Sequence, residues 1–358
     1  MNLSIFHNIF FDIYFALLLL ILLGLTYIAS VRMEPENYPP FSELSVLVIV
    51  PCKGIDYSLE ENLRSIVDQD YPNYRVLAVV DAGDDPSVPI IERAGMKWGI
   101  AQDQCSGCSG KVRAIASAVR NNPDFDIYVI ADSDIVAGKD WLARLVSPFG
   151  SKEIGISTTF PYFNPVGGFW SRVKLIWGFV GLGMMESRLT RFGWGGSLAF
   201  RSSLLQGNGM EFFRSYVSDD IAITKLCKEA KLGIAYVKEA MPMINSPDDF
   251  RTFMEWANRQ TALSIYATRN VFHYGILFYG ATILLFVSAV IFSIAISPFF
   301  LILFLPSAIN GARASTRSGR WPLSSFLISL IIPFIYLYNL VRASRMKKIT
   351  WRGRDYTL

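Results

Sequence analysis

Residues 127–134 read Ile127-Tyr128-Val129-Ile130-Ala131-Asp132-Ser133-Asp134, an apolar run that ends in a pair of carboxylates separated by a single serine. A short apolar run closed by turn residues reads as a strand buried on both faces, as in a parallel sheet covered by helices. At the exit of such a strand, side chains i and i+2 can converge on one hard cation such as Mg2+ or Mn2+. A plain turn or helix cap explains the same Asp-Ser-Asp without any ligand, so the triplet needs support from elsewhere in the chain.

Outward from this stretch the pattern alternates. Strands are expected over Leu44–Val50, Arg75–Val80 and Ile154–Thr158, and helices over Leu59–Val67, Val88–Trp98, Lys111–Arg120 and Lys139–Val146. Alternation of this kind predicts an α/β fold with a parallel sheet. Ser58 with Glu61 has the spacing of a capping box for the first of these helices. Ligands of such sheets bind beyond the carboxyl ends of the strands, and those ends are acidic here: Asp81, Asp84 and Asp85 follow one strand as Asp132 and Asp134 follow another. Asp81 is placed to accept hydrogen bonds from a nucleobase or ribose, whereas Asp84-Asp85-Pro86 reads as a turn that starts a helix.

Other candidates carry a functional and a plain structural reading side by side. Lys111 opens a helix just after Gly110 and can reach a phosphate, although a solvated lysine looks the same. Gly195 and Gly196, within GWGGSLAF at 193–200, allow close approach of a sugar or simply turn the chain into a strand. Ser218-Asp219-Asp220 begins a helix with Ser218 as its cap; the two acids suit the helix dipole, or one of them is a general base for an acceptor hydroxyl. Trp256 and Arg259 share a helix face, with Gln260 adjacent, and suit either an acceptor and a diphosphate or a membrane-interface belt. Cys105 and Cys108 form one C-x-x-C, but His7 and His273 both lie beside apolar blocks, so no second ligand pair completes a zinc site. Reduced thiols in a cytoplasmic loop are the expectation.

The 358 residues are 52% hydrophobic and 18% charged, with a mean hydropathy of +0.33, which excludes a disordered or collagen-like chain and argues against a wholly soluble one. Phe10–Ile28 carries only Asp12 as a charge and is long enough to cross a ~30 Å hydrocarbon core. With no Lys or Arg before it and no A-x-A site after it, this segment reads as an uncleaved anchor rather than a signal peptide. Val271–Asn310 has no charged residue and fits two spans that turn near Ser297-Pro298. Pro322–Val341 is also uncharged but is interrupted by Pro333. Arg313, Arg317 and Arg320 before it, and Arg342, Arg345, Lys347, Lys348, Arg352 and Arg354 after it, both favour the cytoplasmic side. One complete crossing cannot separate two cytoplasmic segments, so a re-entrant or interfacial segment is expected there. The Phe- and Trp-rich stretch Phe160–Leu189 suits the membrane interface or a core helix. Because the basic residues flank apolar spans, the net charge of +4 points to phospholipid head groups and not to nucleic acid. The domain plan is an anchor at 1–31, a cytoplasmic catalytic domain at 32–270 opening with a linker at 33–42, membrane segments at 271–341 and a basic tail at 342–358.

Four further motifs join these. Lys53-Gly54-Ile55-Asp56 with Leu59 and Asn62-Leu63, Gln69-Asp70-Tyr71-Pro72, Asp84-Asp85-Pro86 and the closing Trp351-Arg352-Gly353-Arg354-Asp355-Tyr356 stand in this order along nearly the whole chain. Together they resemble the inverting, membrane-bound glycosyltransferases with a glycosyltransferase-A catalytic domain, most closely the ceramide glucosyltransferase-like branch. The resemblance implies a Rossmann-like glycosyltransferase-A domain with one N-terminal and two to three C-terminal membrane segments. It implies that Asp81 contacts the uridine of a nucleotide sugar, that Asp132 and Asp134 hold the diphosphate through Mg2+ or Mn2+, and that Asp220, beside Asp219, is the catalytic base. The nucleotide-sugar site is then expected to include Asp81, Lys111, Asp132, Ser133, Gly195, Gly196, Trp256, Arg259 and Gln260. A UDP-hexose donor, a membrane lipid acceptor and a catalytic domain on the cytoplasmic face are the implied partners and setting. One departure matters: the family commonly has Gln or Arg, two residues, then Arg-Trp, whereas here Glu255 precedes Trp256 and Thr252 stands four positions before it. The acceptor of that branch is therefore not carried over with its fold. A polyprenyl-phosphate glycosyltransferase, a processive polysaccharide synthase and a non-catalytic nucleotide-sugar-binding subunit are the alternatives.

Overall fold

The computed structural model describes residues 3–31, 36–105 and 107–358. The chain runs α1 (Leu3–Ser30), β1 (Val46–Pro51), α2 (Leu59–Val67), β2 (Tyr74–Val80), α3 (Val88–Arg93), β3 (Lys97–Ile100), α4 (Gly110–Asn121), β4 (Ile127–Ala131), β5 (Ile135–Val136) and α5 (Trp141–Val146). It continues through β6 (Ile154–Thr158), β7 (Tyr162–Pro165), α6 (Phe169–Glu186), β8 (Ser197–Arg201), α7 (Gly209–Arg214), α8 (Asp219–Glu229), β9 (Gly233–Tyr236) and β10 (Met243–Ser246). The last part comprises α9 (Phe250–Ala267), α10 (Asn270–Ala295), α11 (Leu305–Ser318), α12 (Pro322–Ala343), β11 (Lys348–Trp351) and β12 (Arg354–Thr357).

These elements form two units. The first comprises the described residues from 36 to 174, with 180–249 and 347–358, and is built on a seven-stranded sheet in the order β3-β2-β1-β4-β8-β6-β9. β3, β2, β1 and β4 are mutually parallel, and β8 lies antiparallel between β4 and β6. The apolar runs of β1 and β4 are buried almost throughout, as expected of strands covered on both faces. Leu47, Ile49, Tyr128 and Ile130 pack with Ile115 of α4, Phe213 of α7 and Ile223 of α8 in the core. Because Ala131 pairs with Ser197, the turn that enters β8 is held against the exit of β4, which brings Gly195-Gly196 next to Asp132.

Local expectations are corrected at several places. The helix expected over Val88–Trp98 stops at Arg93 and is followed by the edge strand β3. Gly95, with φ +75°, ends it in a Schellman motif in which the Gly95 and Met96 N–H groups donate to the Glu92 and Ile91 carbonyls. Ser58 does not cap α2: it adopts φ 57°, and the turn is tied instead by the Asn62 side chain, which donates to the Tyr57 and Ser133 carbonyls. Ser218 does not cap α8 through its side chain, because its hydroxyl donates to the Asp220 carboxylate. Cys105 and Cys108 are joined as a disulfide instead of standing as reduced thiols, their Cα atoms being 5.8 Å apart. The Phe- and Trp-rich stretch divides into β7, in a small sheet ordered β5-β10-β7, and α6. Gly181 of α6 is packed so closely on Phe160 that a Cβ there would lie 2.4 Å from the ring.

The second unit holds α1, residues 175–179, and α9 to α12. Leu18, Leu22 and Leu25 of α1 pack with Leu285 and Ala289 of α10 and with Leu303. Trp177 stacks on Tyr336 at 4.6 Å and Tyr336 on Tyr279 at 4.9 Å, while the Asn339 amide donates to Asn258. Four described stretches are long and apolar enough to cross a membrane: Phe11–Ser30, Asn270–Ala295, Pro298–Ser318 and Pro322–Ala343. The expected turn at Ser297-Pro298 falls where α10 has ended, and α12 runs as one helix through Pro333. The start of the expected linker at 33–42 lies partly outside the described residues.

Candidate active site

The carboxyl edge of the first unit's sheet gathers charge around one buried ammonium. Ser109 caps α4 by accepting from the Val112 N–H, which fixes the first turn and aims Lys111 across the edge. Lys111 Nζ lies 2.7 Å from Asp132 Oδ1 and 3.3 Å from Asp219 Oδ2, and it donates to the Gly195 carbonyl at 3.0 Å. The ammonium is thus ion-paired with two carboxylates and hydrogen-bonded to one carbonyl. Burial pulls the Lys111 pKa down, but the Asp132 and Asp219 carboxylates outweigh it and hold the group above the usual lysine range.

The two glycines make this convergence possible. A Cβ on Gly195 would lie 2.5 Å from Asp219 Oδ2 and 3.0 Å from Lys111 Nζ, and one on Gly196 would strike the Trp194 indole at 2.1 Å. The Gly196 carbonyl accepts from the Asp132 N–H at 3.1 Å, so the chain before β8 is laced to the end of β4.

The neighbouring acids of α8 stand in unlike surroundings. Asp219 is 2% exposed, and burial, the opposing pull of Lys111 and the nearby Asp220 and Asp132 leave its carboxyl pushed up to about 7. Asp220 is more open: Oδ1 accepts from Ser218 Oγ and from Ile221 N, and among the described residues Oδ2 accepts only a long contact, 3.4 Å, from the Gly195 N–H. Asp132 and Asp134 differ too. Asp132 is engaged by Lys111, whereas Asp134 Oδ1 is buried without a hydrogen-bond partner among the described residues, and burial followed by repulsion from Asp132 and Asp56 pushes its carboxyl up to about 7. A buried, unpartnered carboxylate oxygen beside a second carboxylate is a donor set for a hard divalent cation, so Mg2+ or Mn2+ fits at Asp134 and Asp132.

Asp81, at the exit of β2, carries three cations: Lys53 at 3.6 Å, Arg354 at 3.1 Å and Arg113 in direct contact. Burial opposes its ionisation, but Arg113, Arg354 and Lys53 hold the carboxyl below its ordinary range. Asp85 is the turn acid expected of it, accepting from Ser87 N and Oγ, and it also anchors the Gly54 N–H at 3.0 Å. Ser133, expected on the nucleotide, is 3% exposed and spends its hydroxyl on Asp56 Oδ2 at 2.6 Å. Trp256, Arg259 and Gln260 lie on α9 in the membrane-helix unit, where Trp256 packs on Trp177 at 4.9 Å. The structure thus brings together Asp81, Lys111, Asp132, Ser133, Asp134, Gly195, Gly196, Asp219 and Asp220 in one unit.

Sequence reasoning missed Lys53, Asp56, Arg113, Arg352 and Arg354 as members of this edge. Arg352 pairs with Asp56 at 2.5 Å and donates to the Lys53 carbonyl at 3.3 Å. The available signal was the pair of motifs Lys53–Asp56 and Trp351–Tyr356, whose spatial meeting their separation in sequence conceals.

Comparison with known proteins bears on the fold. A ceramide glucosyltransferase from Komagataella phaffii is 37% identical over 60 residues, which is 17% of this chain and 12% of that protein's length. The mannosyltransferase PcManGT from Pyrobaculum calidifontis, solved with GDP-Man and Mn2+, superposes with a TM-score of 0.51 at 16% identity, covering 90% of this chain and 95% of that one. Glucosyl-3-phosphoglycerate synthase from Mycobacterium tuberculosis gives a TM-score of 0.46 at 15% identity, over 66% of this chain and 88% of that one. At such identities the likeness to solved structures is one of fold, and the fold is that of a glycosyltransferase-A domain with one N-terminal and three C-terminal candidate membrane helices. The model described as Glycosyl transferase family 21 matches residues 13–358, and the chain belongs to that family.

Proposed function

We propose that this protein transfers a single hexose from a UDP-linked donor to a hydroxyl of a membrane lipid, at the cytoplasmic face and with inversion at the anomeric carbon. The observation that carries this reading is the unequal treatment of Asp219 and Asp220. Asp219 is buried against Lys111 and fixes the site's geometry, while Asp220 keeps an oxygen whose one contact is long and is the group able to receive a proton. As the acceptor oxygen attacks the anomeric carbon, its proton passes to Asp220 and the bond from that carbon to the diphosphate oxygen breaks on the opposite face. Lys111 holds Asp132 in place through the event, and Gly195 and Gly196 keep the wall beside it free of side chains. Asp134 and Asp132 would hold a divalent cation, which when bound would supply charge neutralisation for the departing diphosphate. Asp81 serves the nucleoside, and its three cationic neighbours keep it ionised for that purpose. The arginines at 313–320 and the basic residues at 342–354 support the cytoplasmic orientation.

The test is turnover of a panel of UDP- and GDP-sugars by the full-length protein in native lipid extract with Mg2+ or Mn2+. A glycolipid forms with one UDP-sugar; Asp132→Ala abolishes it, and Asp220→Asn lowers its rate by about 10^2- to 10^4-fold while leaving UDP affinity within a few fold. Undiminished turnover in Asp220→Asn would remove the base from this scheme.

A further inference from the structure

The hairpin β11–β12 at the end of the chain belongs to the sheet unit, and its turn has an unusual residue at its first position. Trp351 pairs with Arg354, so the loop is only Arg352-Gly353, and both residues have positive φ, 51° and 74°. This is a two-residue turn of the type that matches strand twist, in which asparagine followed by glycine is the favoured pair. An arginine there is held in a backbone conformation that disfavours side chains with a Cβ, and such residues persist where surrounding structure or function requires them. The Thr350 hydroxyl donates to Asp355 Oδ1 across the strands at 2.7 Å, so the turn is braced from within the hairpin.

The surroundings show what the arginine reaches. Its guanidinium meets Asp56, whose other oxygen accepts from Ser133 Oγ at 2.6 Å, and Ser133 stands between Asp132 and Asp134. Two residues on, Arg354 pairs with Asp81, and the Tyr356 hydroxyl accepts from the Gly110 N–H at 3.3 Å at the start of α4. A cavity of about 390 Å³ lies between Cys105, Cys108, Ser109, Gly110 and Arg113 on one side and Arg354, Asp355 and Tyr356 on the other, with Arg352 outside its lining. Small-molecule clefts commonly measure about 300–1,000 Å³. The edge sets Asp56, Asp81, Asp132, Asp134, Asp219 and Asp220 against Lys53, Lys111, Arg113, Arg352 and Arg354, so the hairpin supplies both of the cations that come from the chain's end. Guanidinium groups recognise phosphate through paired N–H donors, and an anionic donor arriving at an acid-rich edge needs such cations near its phosphates.

We propose that the C-terminal hairpin is a wall of the donor site and that Arg352 binds the diphosphate of the nucleotide sugar, with Arg354 and Tyr356 closing the nucleoside side. This deepens the donor reading given above and rests on it. The left-handed turn exists to present a guanidinium, and the hairpin's fold alone would be better served by asparagine.

That difference supplies the test. In the full-length protein in detergent, Arg352→Asn puts the favoured pair into the turn and removes the ion pair with Asp56, two effects of opposite sign on the melting temperature, while the Kd for UDP with Mg2+ or Mn2+ weakens about 10- to 100-fold, the loss of a charge-assisted contact. Arg352→Lys, which keeps a cation for Asp56 but lacks the paired N–H donors of a guanidinium, repeats the measurement if asparagine lowers the melting temperature, and it is expected to weaken UDP binding in the same direction with the ion pair retained. UDP binding within twofold of wild type in either stable variant overturns the assignment of Arg352 while leaving the donor reading intact. A wild-type protein that binds neither UDP nor GDP with either ion overturns the donor reading and this inference with it.

Discussion

Replacing Lys111 by methionine keeps most of the side-chain volume and removes the ammonium on which three acceptors depend. Lys111 and Asp219 are 11% and 3% exposed in their side chains and Asp132 is 33% exposed, so water can compensate Asp132 but not Asp219. Where Asp219 is protonated in both proteins, the loss is that of the contacts to Asp132 and the Gly195 carbonyl, about 1–3 kcal/mol for buried groups left unsatisfied. The gap then depends on pH. Wild-type Asp219, pushed up to about 7, ionises above that value and gains the ammonium. In Lys111→Met, burial, Asp220 and Asp132 all oppose the charge and the proton is retained, whereas unfolded Asp219 is ionised in both chains. The folded variant therefore binds more protons than folded wild type above pH 7, and the stability difference widens by about 1.4 kcal/mol per pH unit. Between pH 7 and 8.5 the added penalty is about 2 kcal/mol, or roughly 4–8 °C for a unit of this size. Thermal unfolding followed by tryptophan fluorescence reports it, because Trp141 is buried in the same unit with its indole bonded to Ser197 Oγ at 2.8 Å. A melting-temperature gap that is flat or narrows between pH 7 and 8.5 would refute the buried ion pair as the organising element of the site.

Two further outcomes follow from the geometry. Asp81 is held below its ordinary pKa by Arg113, Arg354 and Lys53, so its stabilising contribution is complete above the unfolded value of about 3.9 and disappears as pH falls through the folded one; wild type should be more stable than Asp81→Asn at pH 6 and lose that margin below about pH 4, and an equal margin at pH 6 and pH 3 counts against the cation cluster. Because residues 347–358 fold with the sheet unit, an even number of complete crossings is expected between residues 249 and 347, although Asn270–Ala295, Pro298–Ser318 and Pro322–Ala343 are each long enough to cross; impermeant maleimide should label single cysteines placed at 40 and after Leu358 from the same side of sealed vesicles, and labelling from opposite sides contradicts the placement of the hairpin.

The sheet was legible because its central strands are buried on both faces: continuous apolar runs such as Ile127–Ala131 leave few other readings, and the acids that close them mark the strand exits. The membrane helices were legible for the same kind of reason, length and apolarity being sufficient to place Phe11–Ser30 and Asn270–Ala295. Finer local features gave way to contacts distant in sequence. Ser58 makes no side-chain cap while the Asn62 amide ties the turn to the Ser133 carbonyl, and Ser218 turns to Asp220.

The sequence by itself determined the α/β alternation, the apolar spans and the residue types of the candidate site, since each depends on the chemistry of a short stretch. Only the tertiary structure decided which of those residues meet. Lys111 had the bland alternative of a solvated lysine until β4 and the turn before β8 brought Asp132, Asp219 and the Gly195 carbonyl around its ammonium. Asp219 and Asp220 were indistinguishable as neighbours in a helix's first turn, and burial against Lys111 separates them. Arg352 lies 296 residues from Asp56, and no periodicity or propensity links positions so far apart, because they meet only through the packing of segments distant in the chain within the sheet unit.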